Sequence, residues 1–394
     1  MGASNAPAHV PSDLVRDFTL DFQGPLEDLF PRLDALREQG RVLWVEGGIA
    51  GPGIGCWFFT QAEDIQWALQ NPTVFSSRLG GDGDVPMIPI FMDPPEHTRY
   101  RRLLQPLFAP GVVATMEDGI RARIAEIIDS FVDRGSCEFV AEVAIQFPTR
   151  VFTAWMGLPE DETDRFVALV RGLMHDGDED ERGTAMAGAF TVLNQLIADR
   201  LTEPSDDLMS QIIATELDGR PLTHDELFRI AFLMFLAGPD AVAAALSFSF
   251  WHLSQTLDHR RALAAGEADT QEVVEELLRR HAFVNLPRLV AMDTDFAGVH
   301  LKAGDPVVLS LPMAARDPSG YEDAVDVRFD RTQNRHLAFG LGAHRCLGSH
   351  LARLEMRIAL DEWHRRIPDY RLDGEVPSYA GTVMGVHHLP LAWI

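Results

Sequence analysis

Cysteine is scarce in this sequence, with three residues among 394: Cys56, Cys137 and Cys346. Spacing that wide builds neither a disulfide framework nor a zinc site, and it fits a reducing cytoplasm. Positive charge is also short, with 34 Lys and Arg against 59 Asp and Glu and a formal net charge of −25. That balance argues against nonspecific nucleic-acid binding. The N-terminus shows no charged flank followed by an apolar core, so no signal peptide is expected. Position 6 is Ala6, where a myristoylation signal needs Ser or Thr. There is no Ser/Gly-rich linker, no repeat and no low-complexity block, and charge runs such as Asp176–Arg182 are short. A nucleotide-binding glycine pattern is missing, as are spare cysteines for an iron–sulfur cluster, so any electrons must come from outside.

What is present begins with apolar periodicity. At 46% hydrophobic residues, the chain is long enough for two ordinary domains or one large one. Pro25 to Glu38 has the spacing of a helix, and Gln61 to Leu69 that of a short one. Arg41–Glu46 and Gly55–Thr60 have the composition of strands. A loop follows from Asn71 to Asp93, carrying Gly80, Gly81, Gly83, Pro86 and Pro89, and an irregular stretch that long is usually functional or mobile. Residues 112–203 form mostly consecutive amphipathic helices, with Asp176–Arg182 expected as an exposed connection. After Val284, three apolar runs near Leu289, Val299 and Pro306 are expected as strands, and Gly381–Gly385 as a tight hairpin.

Three local patterns carry chemistry. In the first, a glycine-rich turn holds Cys346 just ahead of an amphipathic helix. Gly340, Gly342 and Gly348 permit positive φ and close backbone approach. A helix start favours thiolate over thiol, and a thiolate ringed by backbone donors can hold a haem iron from one side. Phe339 would pack near the sulfur and shield it. Taken alone, the cysteine also fits a buried structural residue. In the second pattern, Asp93 is a plausible helix N-cap, and His97 and Arg101, four apart, share a helix face that can grip a carboxylate; a solvated basic face is the plainer alternative. In the third, Leu227–Leu253 is the most apolar stretch, long enough to span a membrane but interrupted by Arg229 and Asp240. A buried central helix is expected, kinked at Gly238-Pro239, with Asp240 at the break where a carboxylate needs a reason to be.

The run Phe339-x-x-Gly342-x-His344-x-Cys346-x-Gly348 resembles the haem-ligand loop of the cytochrome P450 family. The resemblance extends over essentially the whole chain and is nearest to the soluble bacterial branch that includes the camphor hydroxylase. Met92-Asp-Pro-Pro, Glu276-Leu-Leu-Arg-Arg and Gly385-Val-x-x-Leu-Pro-Leu carry it. It implies a single domain over residues 1–394, mainly α with a smaller β region, folded as a triangular helical prism around a buried haem b. It implies Cys346 as the axial iron ligand in a pocket with Phe339, Gly340 and Gly348, and His97, Arg101, Arg288 and His344 as partners of the haem propionates. Glu276 and Arg279 match the family's buried structural pair, with Arg328 as the third member.

The central helix resembles the family's oxygen-binding helix, Ala/Gly-Gly-x-Asp/Glu-Thr, as Ala237-Gly238-Pro239-Asp240-Ala241. The acid is kept and the threonine is not. By the same matching, Val85, Met87, Leu233, Leu236, Val284, Thr382 and Val383 would line the substrate pocket. Val85 stands where the camphor enzyme has a ketone-binding tyrosine, so camphor is not expected. Aliphatic walls suggest a compact apolar substrate such as a terpenoid or small aromatic. The implied reaction is oxygen insertion into a C–H bond, using dioxygen and two electrons from a ferredoxin and its reductase, with proton delivery through Asp240 assisted by water or substrate. Arg99, Arg102, Arg335, Arg345 and Arg357 would form the ferredoxin patch. Ala241 keeps two alternatives open: a peroxide-driven enzyme, and a haem protein without turnover, such as a sensor.

Overall fold

Leu26, Leu29, Phe30, Leu33 and Leu36 recur three and four residues apart, and together they are the buried face of the first helix, Leu26–Arg37. The computed structural model describes residues 6–47, 54–79, 87–174 and 179–394. About half the chain is helical. The longest apolar stretch is the spine. Thr223 starts it with a capping box, accepting from the Glu226 N–H while the Glu226 carboxylate accepts from the Thr223 N–H. Helix then runs His224–Ala237 and Pro239–Gln255, parted only by Gly238, which keeps right-handed angles of φ −75° and ψ −64°. The mean hydropathy of 1.8 would suit a membrane span, but 72% of that window is buried inside the fold. Tertiary packing therefore accounts for its apolar character. The helices Gln146–Met156, Thr270–Arg280 and Ser349–Arg366 pack against it.

The principal sheet has six strands. Val15–Thr19 lies parallel to Val42–Gly47, which pairs antiparallel with Cys56–Phe59. Cys56–Phe59 runs parallel to Pro306–Ser310, which is antiparallel to Asn285–Val290, and Phe75–Ser76 closes the edge. The strand Cys56–Phe59 is buried at all four positions, as a continuous apolar run requires. Near the C-terminus Pro377–Ala380 turns back on Gly385–Val386 and also pairs with Phe22–Pro25, so the expected hairpin is present. Two hydrophobic clusters fill the interior. One lies around the sheet and the Pro239–Gln255 helix; the other joins His224–Ala237 to the helices Thr163–Met174 and Glu179–Thr202.

Two local expectations are corrected. The acidic segment Asp176–Arg182 is not all connection, because helix is already formed from Glu179. Asp93 is not an N-cap: Pro95 precedes the Glu96–Leu104 helix without a side-chain cap. The Asp93 carboxylate instead accepts from the Ser76 hydroxyl (2.5 Å) and the Ser77 N–H (2.8 Å), tying the helix entry to the sheet edge.

Candidate active site

The cysteine loop is shaped by its own backbone. Gly340 and Gly342 have φ of +67° and +75°, the left-handed region that favours glycine. At Gly342 a Cβ would lie 2.5 Å from the Leu69 carbonyl, so the loop can sit against the Ala62–Gln70 helix only without a side chain there. Gly348 differs: its φ is −79° and nothing lies within 4 Å of a built Cβ, so neither argument for glycine applies to it. The Cys346 N–H donates to the Phe339 carbonyl at 2.8 Å, and the Gly348 N–H donates to the sulfur. Cys346 keeps exposed surface although protein atoms crowd its sulfur. Burial pushes its thiol up, while the Gly348 N–H and the charges of Arg101, Arg345 and Arg353 pull down. The helix that was expected to favour thiolate starts only at Ser349. The protein alone thus favours the thiol, and a coordinated metal ion is what would deprotonate it.

Phe339 sits beside this loop beneath the Arg353 guanidinium, 4.3 Å from its ring centre. Arg353 is held by Glu275, which also pairs with His336 at 3.0 Å. This Glu275–Arg353–His336 group fixes the loop to the Thr270–Arg280 helix. No sequence pattern pointed to it.

The four cationic candidates converge. His97 is 2% exposed on the Glu96–Leu104 helix, and its ring centre is 4.1 Å from that of His344. Arg101 donates to the Arg345 carbonyl at 2.6 Å, and Arg288 is 7% exposed on its strand. Burial, then the Arg101 charge, lowers His97 to about 4; burial, then His97, Arg288 and Arg101, lowers His344 to about 3. Burial also lowers Arg288 to about 10. His97 Nδ1 and His344 Nε2 are buried without a hydrogen-bond partner among the described residues. Asp93 acts on His97 and Arg288 but is already bound by Ser76, Ser77 and Arg78, so these buried donors and guanidiniums still fit a group bearing carboxylates, and the cysteine fits a metal. The donor set therefore fits a haem with two propionates.

On the central helix Asp240 is 5% exposed, and its charge, after burial, helps push the Tyr379 phenol up. Ala241 is half-buried beside it. At Gly238 a Cβ would stand 3.0 Å from the Phe152 ring. Of the pocket candidates, Val284 and Val383 meet in an antiparallel bridge, and Thr382 is exposed next to them. Met87 and Leu236 pack on the second cluster, Leu233 is half-buried, and Val85 lies outside the described residues.

The buried pair Glu276–Arg279 has its third partner in Arg331, whose Nε is 2.9 Å from Glu276 Oε1, and not in Arg328. The Arg328 side chain goes to Asp323 and Asp330, leaving only its backbone N–H on Glu276 at 2.8 Å. Of the five arginines expected on one basic patch, Arg102 and Arg345 line a cleft of about 440 Å³ together with Cys346 and His350. Arg99 is engaged by Asp218, and Arg357 by Glu117. A cleft of about 510 Å³ elsewhere, between Glu126, Arg150 and Asp164, contains none of the site residues.

Residues 270–363 match the family model for cytochrome P450. The chain is 33% identical to a probable cytochrome P450 127A1 of Sinorhizobium fredii, over 98% of this chain and 96% of that protein. A steroid C26-monooxygenase of Mycolicibacterium smegmatis is 33% identical, over 83% of this chain and 84% of that protein. The crystal structure of CYP101J2 superposes with a TM-score of 0.89 at 30% identity, covering 99% of each chain. That of CYP101C1 gives 0.90 at 30% identity, covering 99% of this chain and 100% of the other. Sequence and fold together make this chain a member of the cytochrome P450 family, a bacterial-type monooxygenase whose cofactor is haem b.

Proposed function

We propose that the chain oxidises a compact apolar substrate, a terpenoid or small aromatic, and that Cys346 is the residue that would hold the iron of its haem. The convergence of His97, Arg101, Arg288 and His344 beside the cysteine loop carries this reading. Arg101 and Arg288 would supply counter-charge to the propionates, and the neutral imidazoles of His97 and His344 would donate hydrogen bonds to them, which would let a charged cofactor be buried. Phe339 and the loop backbone at Gly340 and Gly348 shield the sulfur and hold it in position. The haem, when bound, supplies oxygen activation and C–H oxidation.

The protein's own part is to admit substrate, exclude bulk water and deliver protons. Asp240, buried at the Gly238-Pro239 break, passes protons inward. With no hydroxyl at Ala241, water or an oxygen of the substrate completes the path. Val284, Thr382 and Val383 form one wall of the pocket, and Met87, Leu233 and Leu236 the other. Among relatives, a steroid C26-monooxygenase and a vitamin D3 dihydroxylase of Streptomyces griseolus act on apolar molecules by their names, which supports an apolar substrate class. Electrons come from a ferredoxin and its reductase, docking where Arg102 and Arg345 border the cysteine cleft. A bacterial cytoplasm is the setting that goes with such partners.

The test is a spin-state titration of the purified protein with small terpenoids and aromatics, followed by turnover with ferredoxin, reductase and dioxygen. A spin shift with oxygenated product supports the reading. Product formed only with added peroxide would replace the ferredoxin route by a peroxide-driven one, to which the alanine at 241 also lends itself.

A further inference from the structure

Away from the haem, three nitrogen-bearing side chains gather around the ring of Phe30. The Arg316 guanidinium carbon is 5.0 Å from that ring centre, the Arg280 carbon is 5.5 Å from it, and the His281 imidazole is 5.7 Å from it. Each presents buried nitrogen without a hydrogen-bond partner among the described residues: Nη1 of Arg280, Nη1 of Arg316, and both ring nitrogens of His281. Arg316 and His281 are each only 3% exposed. Phe248 stacks on His281 and Trp251 meets it edge-on, so aromatic surface lines this side of the cluster.

The nearby carboxylates are directed elsewhere: Asp317 accepts from the Ala62 and Ser319 N–H groups. Asp34 binds the Nε and Nη2 of Arg316 and is shared with Arg37. Arg279 is matched by Glu276. Arg280 donates to the Val325 carbonyl, and the carboxylates of Asp34, already bound to Arg316, and of the exposed Asp326 act on it only from a distance. His252, next to His281, is bonded to His259 at 2.9 Å and adds no negative charge. Burial, then Arg316 and Arg279, lowers Arg280 to about 9, consistent with a cation lacking a full counter-charge. A guanidinium cannot escape by losing its proton, so a buried one short of a partner is destabilising unless an anion reaches it.

We propose that Arg280, Arg316 and His281 form a buried binding site for a small monatomic anion, chloride in the cell. A spherical anion accepts three N–H donors without demanding more. A carboxylate or phosphate would need additional donors, which the Phe30, Phe248 and Trp251 walls do not supply. The ion joins the end of the Thr270–Arg280 helix to the Leu311–Ala315 helix and the first helix, and so braces the fold beside the Glu276 pair.

The experiment compares thermal unfolding of the haem-loaded protein in sodium chloride and in sodium gluconate at equal ionic strength, alongside crystals soaked in sodium bromide. The site predicts a Tm higher in chloride by about 2 °C and saturating with concentration. It also predicts an anomalous bromide peak between Arg280, Arg316 and His281. In Arg280→Met the chloride-specific rise should vanish, and His281→Phe serves the same purpose should Arg280→Met fail to fold. Equal Tm values in both salts, a rise that persists in the variant, or no bromide peak at this cluster would overturn the proposal, and water would then be what these nitrogens bind.

Discussion

The imidazole rings of His97 and His344 lie 4.1 Å apart, although one comes from the Glu96–Leu104 helix and the other from the cysteine loop nearly 250 residues later. Both are held neutral and each keeps a buried nitrogen without a partner among the described residues. A hydrogen bond to a carboxylate is worth about 1.5–3 kcal/mol, and 1.4 kcal/mol is a factor of ten. His97→Leu should therefore release haem about 10–100 times faster, measured by transfer to an excess of a haem-scavenging apoprotein. Arg288→Leu should release it at least as fast. Unchanged release in both would remove the propionate assignment.

Glu276 separates two arginines that look equivalent in sequence. Burial works against its charge, yet hydrogen bonds from Arg279 and Arg331 hold its carboxyl below the usual range. Arg331→Ala should cost about 2–3 kcal/mol of stability by leaving a buried carboxylate short of a donor. Arg328→Ala keeps the backbone N–H and should stay within about 0.5 kcal/mol of the parent. Chemical unfolding of both variants measures the difference, and equal losses would contradict the assignment.

Proton delivery rests on Asp240. Asp240→Asn should lower turnover about 100-fold while leaving haem content and substrate spin shift unchanged. Ala241→Thr restores a hydroxyl next to it and should raise the ratio of product formed to reducing equivalents consumed. A fall in that ratio would mean that the alanine makes room for the substrate.

Electron transfer singles out Arg102. It is exposed and borders the cysteine cleft, whereas Arg99 and Arg357 are engaged by carboxylates. Arg102→Glu should slow reduction by ferredoxin in stopped flow and flatten its dependence on salt. Reduction as fast as in the parent, with the same salt slope, would place the docking site elsewhere.

The parts of this site that the sequence made legible are those fixed by short spacing. Phe339 to Cys346 sit in one turn whose glycines are demanded by backbone angles and a close carbonyl, so the pattern survives without any tertiary knowledge. His97 and Arg101, or Glu276 and Arg279, are helix neighbours for the same reason. What escaped depends on long loops. Arg328 and Arg331 are both in reach of Glu276 by counting, and only the path of the chain turns one side chain inward and the other to Asp323 and Asp330. Glu275, His336 and Arg353 come from three separate segments, and Asp93 bonds across to Ser76 and Ser77 although its position suits a cap. Such pairings have no local period to betray them.

The reduced, carbon-monoxide-bound absorption spectrum of the purified protein, taken beside that of Cys346→His, tests the central assignment most directly. Ligation by Cys346 predicts the red-shifted Soret band of thiolate-ligated haem in the parent and its loss in the variant. A parent band at the position of histidine- or thiol-ligated haem, or a folded protein that takes up no haem, would contradict it.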